Sequence, residues 1–188
     1  MMTQGLKQKY WFWKNIVTSN RCLEIHNFIE KNFDEYEKPH LIAKDSNKTS
    51  TVKIIYWNKM KNVISDLIAQ CVRRNDTEFG YNIYPQSDLQ GLHYNIYSSN
   101  NLGGYDWHTD GTNHYTYDIK LTVLINLSTE KYEGGEFQLN TGSPKTVDEF
   151  SEPGGMIMFP SYYLHRVTPV TKGERRTLAM FFEGPRFT

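Results

Sequence analysis

The chain has 188 residues and carries 21 lysine and arginine residues against 21 aspartate and glutamate residues. This balance leaves no net charge that would attract nucleic acid or an anionic membrane over long range, so the sequence disfavours both partners. The length predicts one domain over residues 1–188 with a hydrophobic core of its own. Two cysteines without CxxC spacing, no secretory hydrophobic region and no membrane-spanning apolar run predict buried free thiols and an intracellular, cytoplasmic protein.

The first part of the chain predicts helical support for a sheet, at about residues 18–75. Apolar residues at helical spacing indicate two helices, and the segments around them indicate two strands and a polar loop. In chain order these are a strand over Lys9–Val17, a helix that begins at Thr18 or Ser19 and ends at about Asn32, a loop over Glu35–Ser50, a strand over Thr51–Trp57 and a helix from about Lys59 to Arg74. The buried stripe of the first helix is predicted to consist of Cys22, Leu23, Ile25, Ile29 and Phe33.

The rest of the chain predicts strands, because short apolar and aromatic runs are separated by Gly, Pro and Asn turns. The predicted strands are Gly80–Tyr84, Leu89–Tyr97, Asp118–Leu127, Gly135–Leu139, Lys145–Val147, Met156–Phe159, His165–Pro169 and Arg175–Phe182. Short strands behind two helices favour a mostly β fold with N-terminal helices. The sequence therefore predicts a double-stranded β-helix, or jelly-roll barrel, at about residues 79–185.

Three side chains, His108, Asp110 and His165, have the make-up of a metal site with two histidines and one carboxylate. In an extended segment His108 and Asp110 point to the same face, because side chains return to one face every second residue. His165 follows the apolar run at 156–164 and would supply the third ligand from a distant strand. This donor set leaves metal positions open and is associated with non-haem Fe(II) oxygenases. An isolated HxD pair is a weak signal, so the prediction depends on His165 and on the arginine described next.

Arg175 lies on the last predicted strand, where alternation decides which side chains enter the barrel. One face would carry Arg175, Thr177, Ala179 and Phe181, and the other would carry Arg176, Leu178, Met180 and Phe182. A guanidinium inside an apolar barrel is costly unless it meets an anion, and its planar fork suits a carboxylate. The distal carboxylate of 2-oxoglutarate would be such an anion.

Three sequence blocks occur in a characteristic order. They are LHYNIY with GYDWHTD at 92–97 and 104–110, YEGGEF at 132–137 and HRVTPVTKGER at 165–175. Together they resemble the 2-oxoglutarate/Fe(II)-dependent dioxygenases of the prolyl 4-hydroxylase type. The resemblance implies that His108, Asp110 and His165 bind iron, that Arg175 holds 2-oxoglutarate, and that Tyr97 or Tyr94 lines the cosubstrate pocket.

The same resemblance implies the cofactors and the reaction. Fe(II), 2-oxoglutarate as cosubstrate and O2 would be required, with ascorbate as an additional reductant. Oxidative decarboxylation of 2-oxoglutarate would be coupled to hydroxylation of a C–H bond.

The substrate is the least determined part of the sequence-based interpretation. The resemblance favours a peptidyl proline or another peptide side chain, and hence a peptide or protein partner. A small-molecule hydroxylase on the same barrel, a cupin-like dioxygenase that needs no 2-oxoglutarate and a non-catalytic jelly-roll module with a structural metal are the alternatives. Loops at 98–104 and 111–117 are candidates for substrate binding, and the segment 31–51 is a candidate lid. The sequence does not predict the oligomeric state.

Overall fold

A computed structural model describes residues 8–33, 48–111 and 116–187, which form two antiparallel sheets, one isolated strand pair, two α-helices and three short helical segments at Asn75–Phe79, Ser99–Asn101 and Asp148–Phe150. The predicted loop at 35–50, the predicted lid at 31–51 and the predicted substrate loop at 111–117 therefore lie largely outside the described residues. Neither helix of this part of the chain combines the length and the apolar character needed to cross a membrane.

The strands divide into a large sheet, a small sheet and one isolated pair. In chain order they are β1 (Trp11–Trp13), β2 (Lys48–Thr49), β3 (Thr51–Tyr56), β4 (Gly91–Ser98), β5 (Gly104–His108), β6 (Asp118–Asn126), β7 (Glu133–Gly134), β8 (Phe137–Asn140), β9 (Pro144–Thr146), β10 (Met156–Pro160), β11 (His165–Val167), β12 (Val170–Lys172) and β13 (Glu174–Gly184). The large sheet has the order β1-β10-β6-β13-β4-β3, the small sheet has the order β2-β5-β11-β8-β9, and β12 pairs with β7. The short strands β2, β5, β7 and β12 were not among the predicted strands.

Two helices, α1 (Ser19–Asn32) and α2 (Trp57–Arg74), follow the predicted positions closely. The Thr18 hydroxyl accepts a hydrogen bond from the Arg21 backbone N–H and so caps α1, as predicted. Helix α2 begins two residues earlier than Lys59. Its first two N–H groups donate to backbone carbonyls at Gln90 and Asp88, so no side-chain cap is needed there.

Two hydrophobic cores meet at the large sheet. The outer core lies between the helices and one face of this sheet, and it contains Ile25, Ile64, Leu178, Met180 and Phe182, among others. The inner core lies between the two sheets and contains Leu124, Phe137, Phe159 and Ala179, with Phe181 packed against it. The alternation predicted for β13 is therefore confirmed, because its even-numbered apolar residues face the helices and its odd-numbered residues face the barrel.

Three local predictions are wrong. The first strand covers Trp11–Trp13 instead of Lys9–Val17, since the chain turns at Asn15, whose φ is 52°. Leu23 is 47% exposed and does not belong to the buried stripe of α1. The predicted strand over Gly80–Tyr84 is irregular backbone.

The backbone at 80–84 has partners other than a neighbouring strand. The Asn75 side-chain amide donates to the Tyr81 carbonyl at 2.8 Å and accepts from the Tyr81 N–H at 3.1 Å. The Tyr84 N–H donates to the Glu183 carbonyl at 2.7 Å. Because the backbone groups of Tyr81 and Tyr84 bond to separate partners, the segment lies beside the end of β13 without forming a regular strand ladder.

Candidate metal centre

The three predicted metal-binding side chains lie together at one end of the small sheet. His108 ends β5 and His165 begins β11, and the two residues are direct partners in the antiparallel register. Asp110 follows β5, where its backbone N–H donates to the Ser161 carbonyl at 3.0 Å. One ligand atom from each of the three residues lies within 4.8 Å of the other two. The sequence-predicted group is thus assembled from a strand end, a turn and a distant strand.

A bulge in β5 sets the direction of His108. The register shifts between the pair His165–His108 and the pair Val167–Tyr105, so β5 holds one more residue than β11 over this stretch. As a result Tyr105 and His108 both face the barrel although they are three residues apart. Their rings stack with centroids 3.4 Å apart and planes inclined by 18°. Alternation from His108 to Asp110 therefore predicted that the two side chains lie together, but it did not predict the bulge in β5 that directs His108.

Both histidines are oriented by backbone carbonyls. His108 Nδ1 lies 2.7 Å from the Asp106 carbonyl oxygen, and His165 Nδ1 lies 3.0 Å from the Tyr163 carbonyl oxygen. A carbonyl oxygen can accept but not donate, so each neutral imidazole carries its proton on Nδ1. The Nε2 lone pairs then remain for a metal, and these atoms lie 3.8 Å and 3.4 Å from the Asp110 carboxylate oxygens.

The electrostatics of the group favour a cation between these ligands. Burial alone would raise the pKa of Asp110, but His165, His108 and a 2.6 Å hydrogen bond from the Thr122 hydroxyl outweigh it and lower the pKa to about 2. Burial, together with the neighbouring His165, lowers the pKa of His108 to about 4. At neutral pH the site therefore offers an ionised carboxylate beside an unprotonated His108 imidazole, which is the state that binds a divalent metal.

Arg175 is fully inside the barrel and is 1% exposed. Its Nη2 atom is buried and has no hydrogen-bond partner among the described residues. The guanidinium carbon lies 5.6 Å from the ring centre of Tyr97 and 5.5 Å from that of Phe150. A buried guanidinium with a free donor suits an anion that enters the barrel.

Gly135 makes room for this arginine. Its φ is +62°, and a Cβ atom placed there would come within 3.0 Å of Arg175 Cδ and 2.9 Å of Val170 Cγ2. The sequence predicts residue 135 only as the start of a strand, and its steric role depends on the folded contact with β13.

The two candidate tyrosines lie on opposite faces of β4. Tyr97 faces the barrel, is the register partner of Arg175 and packs in the inner core. Tyr94 belongs to the outer core, and its hydroxyl lies 2.7 Å from His26 Nδ1 on α1. The structure therefore brings Tyr97, and not Tyr94, to the Arg175 end of the barrel.

Several further residues lie near the metal group. Thr122 holds Asp110, and Tyr105 stacks on His108. On the barrel wall Lys48 Nζ donates to Asn95 Oδ1 at 2.8 Å, and burial lowers the pKa of Lys48 to about 8 while Asp110 opposes this shift. Burial and the neighbouring Lys48 lower the pKa of His93 to about 4. The inward face of β4 could be predicted from alternation, but the contact with Lys48 comes from a two-residue strand that has no sequence signal of its own.

The part of the chain that contains the metal group and Arg175 matches a known family model. Residues 92–183 match the family model described as the 2OG-Fe(II) oxygenase superfamily, in agreement with the resemblance of the sequence blocks. A PKHD-type hydroxylase of Synechococcus sp. (strain CC9605) is 32% identical over 90 residues, which cover 46% of this chain and 40% of the relative. A PKHD-type hydroxylase of Alteromonas mediterranea is 45% identical over 58 residues, which cover 31% of this chain and 25% of the relative. The chain thus covers less than half of the length of these relatives.

Solved structures with the same architecture include three prolyl hydroxylases. A Pseudomonas putida prolyl-4-hydroxylase has a TM-score of 0.70 and 13% identity, covering 96% of this chain and 94% of that chain. The viral collagen prolyl hydroxylase from Paramecium Bursaria Chlorella virus-1, in its 2OG complex, has a TM-score of 0.69 and 16% identity, covering 94% and 97%. A Trichoplax adhaerens prolyl hydroxylase in complex with a hypoxia inducible factor peptide fragment has a TM-score of 0.69 and 17% identity, covering 93% and 83%. These likenesses confirm the predicted jelly-roll barrel with supporting N-terminal helices.

Proposed function

We propose that this protein is an Fe(II)- and 2-oxoglutarate-dependent hydroxylase, because residues 92–183 match the family model of the 2OG-Fe(II) oxygenase superfamily. His108, Asp110 and His165 would bind the iron, and Arg175 would bind the distal carboxylate of 2-oxoglutarate beside Tyr97. The observation that carries the proposal is the buried Nη2 atom of Arg175, which has no partner in the described part of the chain and lies in the same barrel as the metal ligands. A barrel that served only as a metal-binding module would have no use for this buried cation.

The residues of this chain would contribute orientation and the exclusion of water. When bound, iron(II) with 2-oxoglutarate and O2 supplies the oxidising power for an unactivated C–H bond. The carbonyls at Asp106 and Tyr163 keep both Nε2 atoms directed at the metal. Phe137 and Phe159 pack against the ring of His165, with centroids 5.8 Å and 4.8 Å away, and so shield that side of the site from water.

Arg175 and the metal group together would fix the position of the cosubstrate. Arg175 has a planar fork of donors, and a carboxylate can accept from two of them at once. Tyr97 and Phe150 flank the guanidinium and keep it from reorienting towards solvent.

We infer that the helices and the barrel act as one domain over residues 1–188, because the face of the large sheet opposite the site carries the core shared with α1 and α2.

A peptide or protein side chain, with proline as the first candidate, is the substrate class that we propose. The neighbours in fold are named prolyl hydroxylases, and the Trichoplax adhaerens enzyme was solved with a peptide fragment bound. Succinate release should be measured against peptides that contain proline, lysine or asparagine, alongside free amino acids. Turnover with free amino acids alone would replace the peptide proposal by a small-molecule hydroxylase.

Anaerobic binding tests the cofactor assignment without any knowledge of the substrate. Addition of Fe(II) and 2-oxoglutarate should give a weak charge-transfer band in the visible range, and Asp110→Ala and His165→Ala should abolish it. Asp106→Ala is the matched control, because Asp106 is an exposed carboxylate on the same strand and its side chain caps only its neighbour's N–H. A band that survives in both ligand variants would refute the proposed iron site.

A further inference from the structure

Lys48 places a positive charge on the barrel wall next to the metal group. It is the register partner of Tyr105 where β2 pairs with β5, and its Nζ atom lies 5.0 Å from the centre of the Tyr105 ring. The Tyr105 ring is in turn stacked at 3.4 Å on the imidazole of His108. The ammonium is therefore separated from a proposed iron ligand by one aromatic ring.

The position of this ammonium is fixed by the amide of Asn95. Lys48 Nζ donates to Asn95 Oδ1 at 2.8 Å, and Asn95 Nδ2 donates to the His93 carbonyl oxygen at 3.0 Å. Both ends of the amide are thus engaged, so Asn95 cannot rotate away without losing a bond. An ammonium has three N–H donors, and Asn95 accepts one of them. The ion pairs among the described residues do not include Lys48.

The charges of the proposed complex are already balanced without Lys48. Iron(II) and Arg175 carry the positive charges, and they equal the negative charges of Asp110 and the 2-oxoglutarate dicarboxylate. Lys48 adds a further positive charge in a half-buried position, where an uncompensated charge is costly. Another anion beside the metal would relieve this cost.

We propose that Lys48 binds a carboxylate group of the molecule that is oxidised, and so selects acidic substrates. The inference rests on the proposed hydroxylase function and adds a substrate class to it. The carboxylate could belong to an Asp or Glu side chain or the C-terminus of a peptide, or to a small molecule such as a free amino acid. Asn95 is then a positioning residue, because it acts on the substrate only through the lysine.

Binding experiments on the protein loaded with Mn(II) and 2-oxoglutarate test the proposal without turnover. A random peptide library, in free-acid and C-terminally amidated forms, and a set of free amino acids with their amides would be selected against the wild type, Lys48→Gln and Lys48→Arg. Glutamine can still donate to Asn95 but carries no charge. Lys145→Gln is the matched control, since Lys145 is an exposed lysine on β9.

We expect carboxylate-bearing ligands to be enriched by the wild type, by Lys48→Arg and by Lys145→Gln, and not by Lys48→Gln. Because the lost contact is a charge-assisted hydrogen bond, the affinity for a selected ligand should fall at least about tenfold in Lys48→Gln. Enrichment among peptides or among free amino acids would identify the source of the carboxylate. Replacing Glu by Gln within a selected ligand should cause a similar loss on the wild-type protein, a measurement that needs no protein variant to fold.

Two results would overturn the assignment of Lys48. One is the absence of any preference for carboxylates over their amides in the wild type. The other is an unchanged preference in Lys48→Gln; if this variant also binds 2-oxoglutarate more weakly by calorimetry, Lys48 belongs to the cosubstrate site instead. Failure of the wild type with Mn(II) to bind 2-oxoglutarate would instead contradict the hydroxylase proposal itself.

Discussion

At the scale of single residues, Arg175 and Arg176 offer a direct comparison of two adjacent arginines on opposite faces of β13. Arg175 is buried in the barrel, where its Nη2 atom has no partner, whereas Arg176 lies on the helix side, where its Nη2 atom donates to Glu174 at 2.7 Å and only its Nε atom has no partner among the described residues. We expect Arg175→Ala to weaken 2-oxoglutarate binding by at least about tenfold, because charge-assisted hydrogen bonds contribute about 1.5–3 kcal/mol each. Calorimetric titration of the Mn(II)-loaded protein measures this change.

Arg176→Ala is the matched control, and it should leave the affinity for 2-oxoglutarate within about twofold of the wild type. Arg175→Lys should give an intermediate result, since it keeps the charge but loses the planar fork. If the two alanine variants weakened binding equally, the barrel-facing role of Arg175 would be refuted.

Thr122 is a second residue whose effect should be visible through a neighbour. Its hydroxyl donates to Asp110 Oδ2 at 2.6 Å and lies 3.2 Å from the Ser161 hydroxyl. Thr122→Val keeps the shape but removes this donor, so we expect the affinity for Mn(II) to fall about 10- to 100-fold, as for other residues that orient metal ligands. Thr122→Ser should restore most of the affinity. Equal affinity in Thr122→Val and the wild type, measured by metal titration, would show that Asp110 does not depend on this bond.

At the scale of elements, alternation along a single strand was the most informative sequence signal. It placed Arg175, Ala179 and Phe181 in the barrel and Leu178 and Met180 against the helices, as the two cores confirm. The signal succeeded because β13 is a central strand with partners on both sides, and its register is continuous from Arg175 to Phe182 and shifts only after Phe182.

The elements that sequence reasoning missed depend on partners rather than on their own composition. Strand β2 has two residues and exists because β5 pairs with it, and the bulge in β5 appears only in the register against β11. Residues 80–84 have the apolar character of a strand, yet their backbone groups bond to Asn75 and Glu183. Tyr94 and Tyr97 are three positions apart, so alternation predicts that they lie on opposite faces of β4. The sequence does not show which of these faces carries the site.

Gly135, between β7 and β8, allows a prediction about how one turn supports the cosubstrate site. Gly135 and Gly80 have similar positive φ values of +62° and +71°, so alanine at either position costs about 1–2 kcal/mol of backbone strain. A methyl group at 135 would also crowd Arg175 Cδ at 3.0 Å, whereas one at 80 would meet nothing within 4 Å. We expect Gly135→Ala to weaken 2-oxoglutarate binding several-fold and Gly80→Ala to leave it unchanged, by calorimetry. If the two variants bound 2-oxoglutarate with equal affinity and lost similar amounts of stability in urea, Gly135 would have no specific role in the cosubstrate site.

At the scale of the whole molecule, the site is built on a sheet whose opposite face is held by the helices. The β13 and β4 residues that face the barrel alternate with residues of the outer core, so the position of Arg175 and Tyr97 depends on the packing of α1 and α2. A polar contact lies within this outer packing. His26 on α1 lies 2.7 Å from the Tyr94 hydroxyl, and its Nε2 atom lies 3.4 Å from Arg176 Nη1.

This contact predicts a pH dependence of the free energy of unfolding. Burial, followed by the charge of Arg176, lowers the pKa of His26 below its ordinary value of 6.5. Below about pH 6.5 the unfolded chain binds a proton at His26 more readily than the folded protein does. The free energy of unfolding therefore falls as the pH decreases from about 7.5 towards 5, and it rises again when the pH is returned to about 7.5. Glutamine can still bond to the Tyr94 hydroxyl but does not titrate, so His26→Gln should show a smaller loss over the same range. Urea denaturation of the metal-free protein at several pH values measures the slope of the free energy of unfolding against pH for the wild type and for His26→Gln. His93 and His108, whose pKa values are also lowered, contribute to this slope as well. If the slopes of the wild type and His26→Gln coincided, the free energy of unfolding would not be linked to protonation of His26.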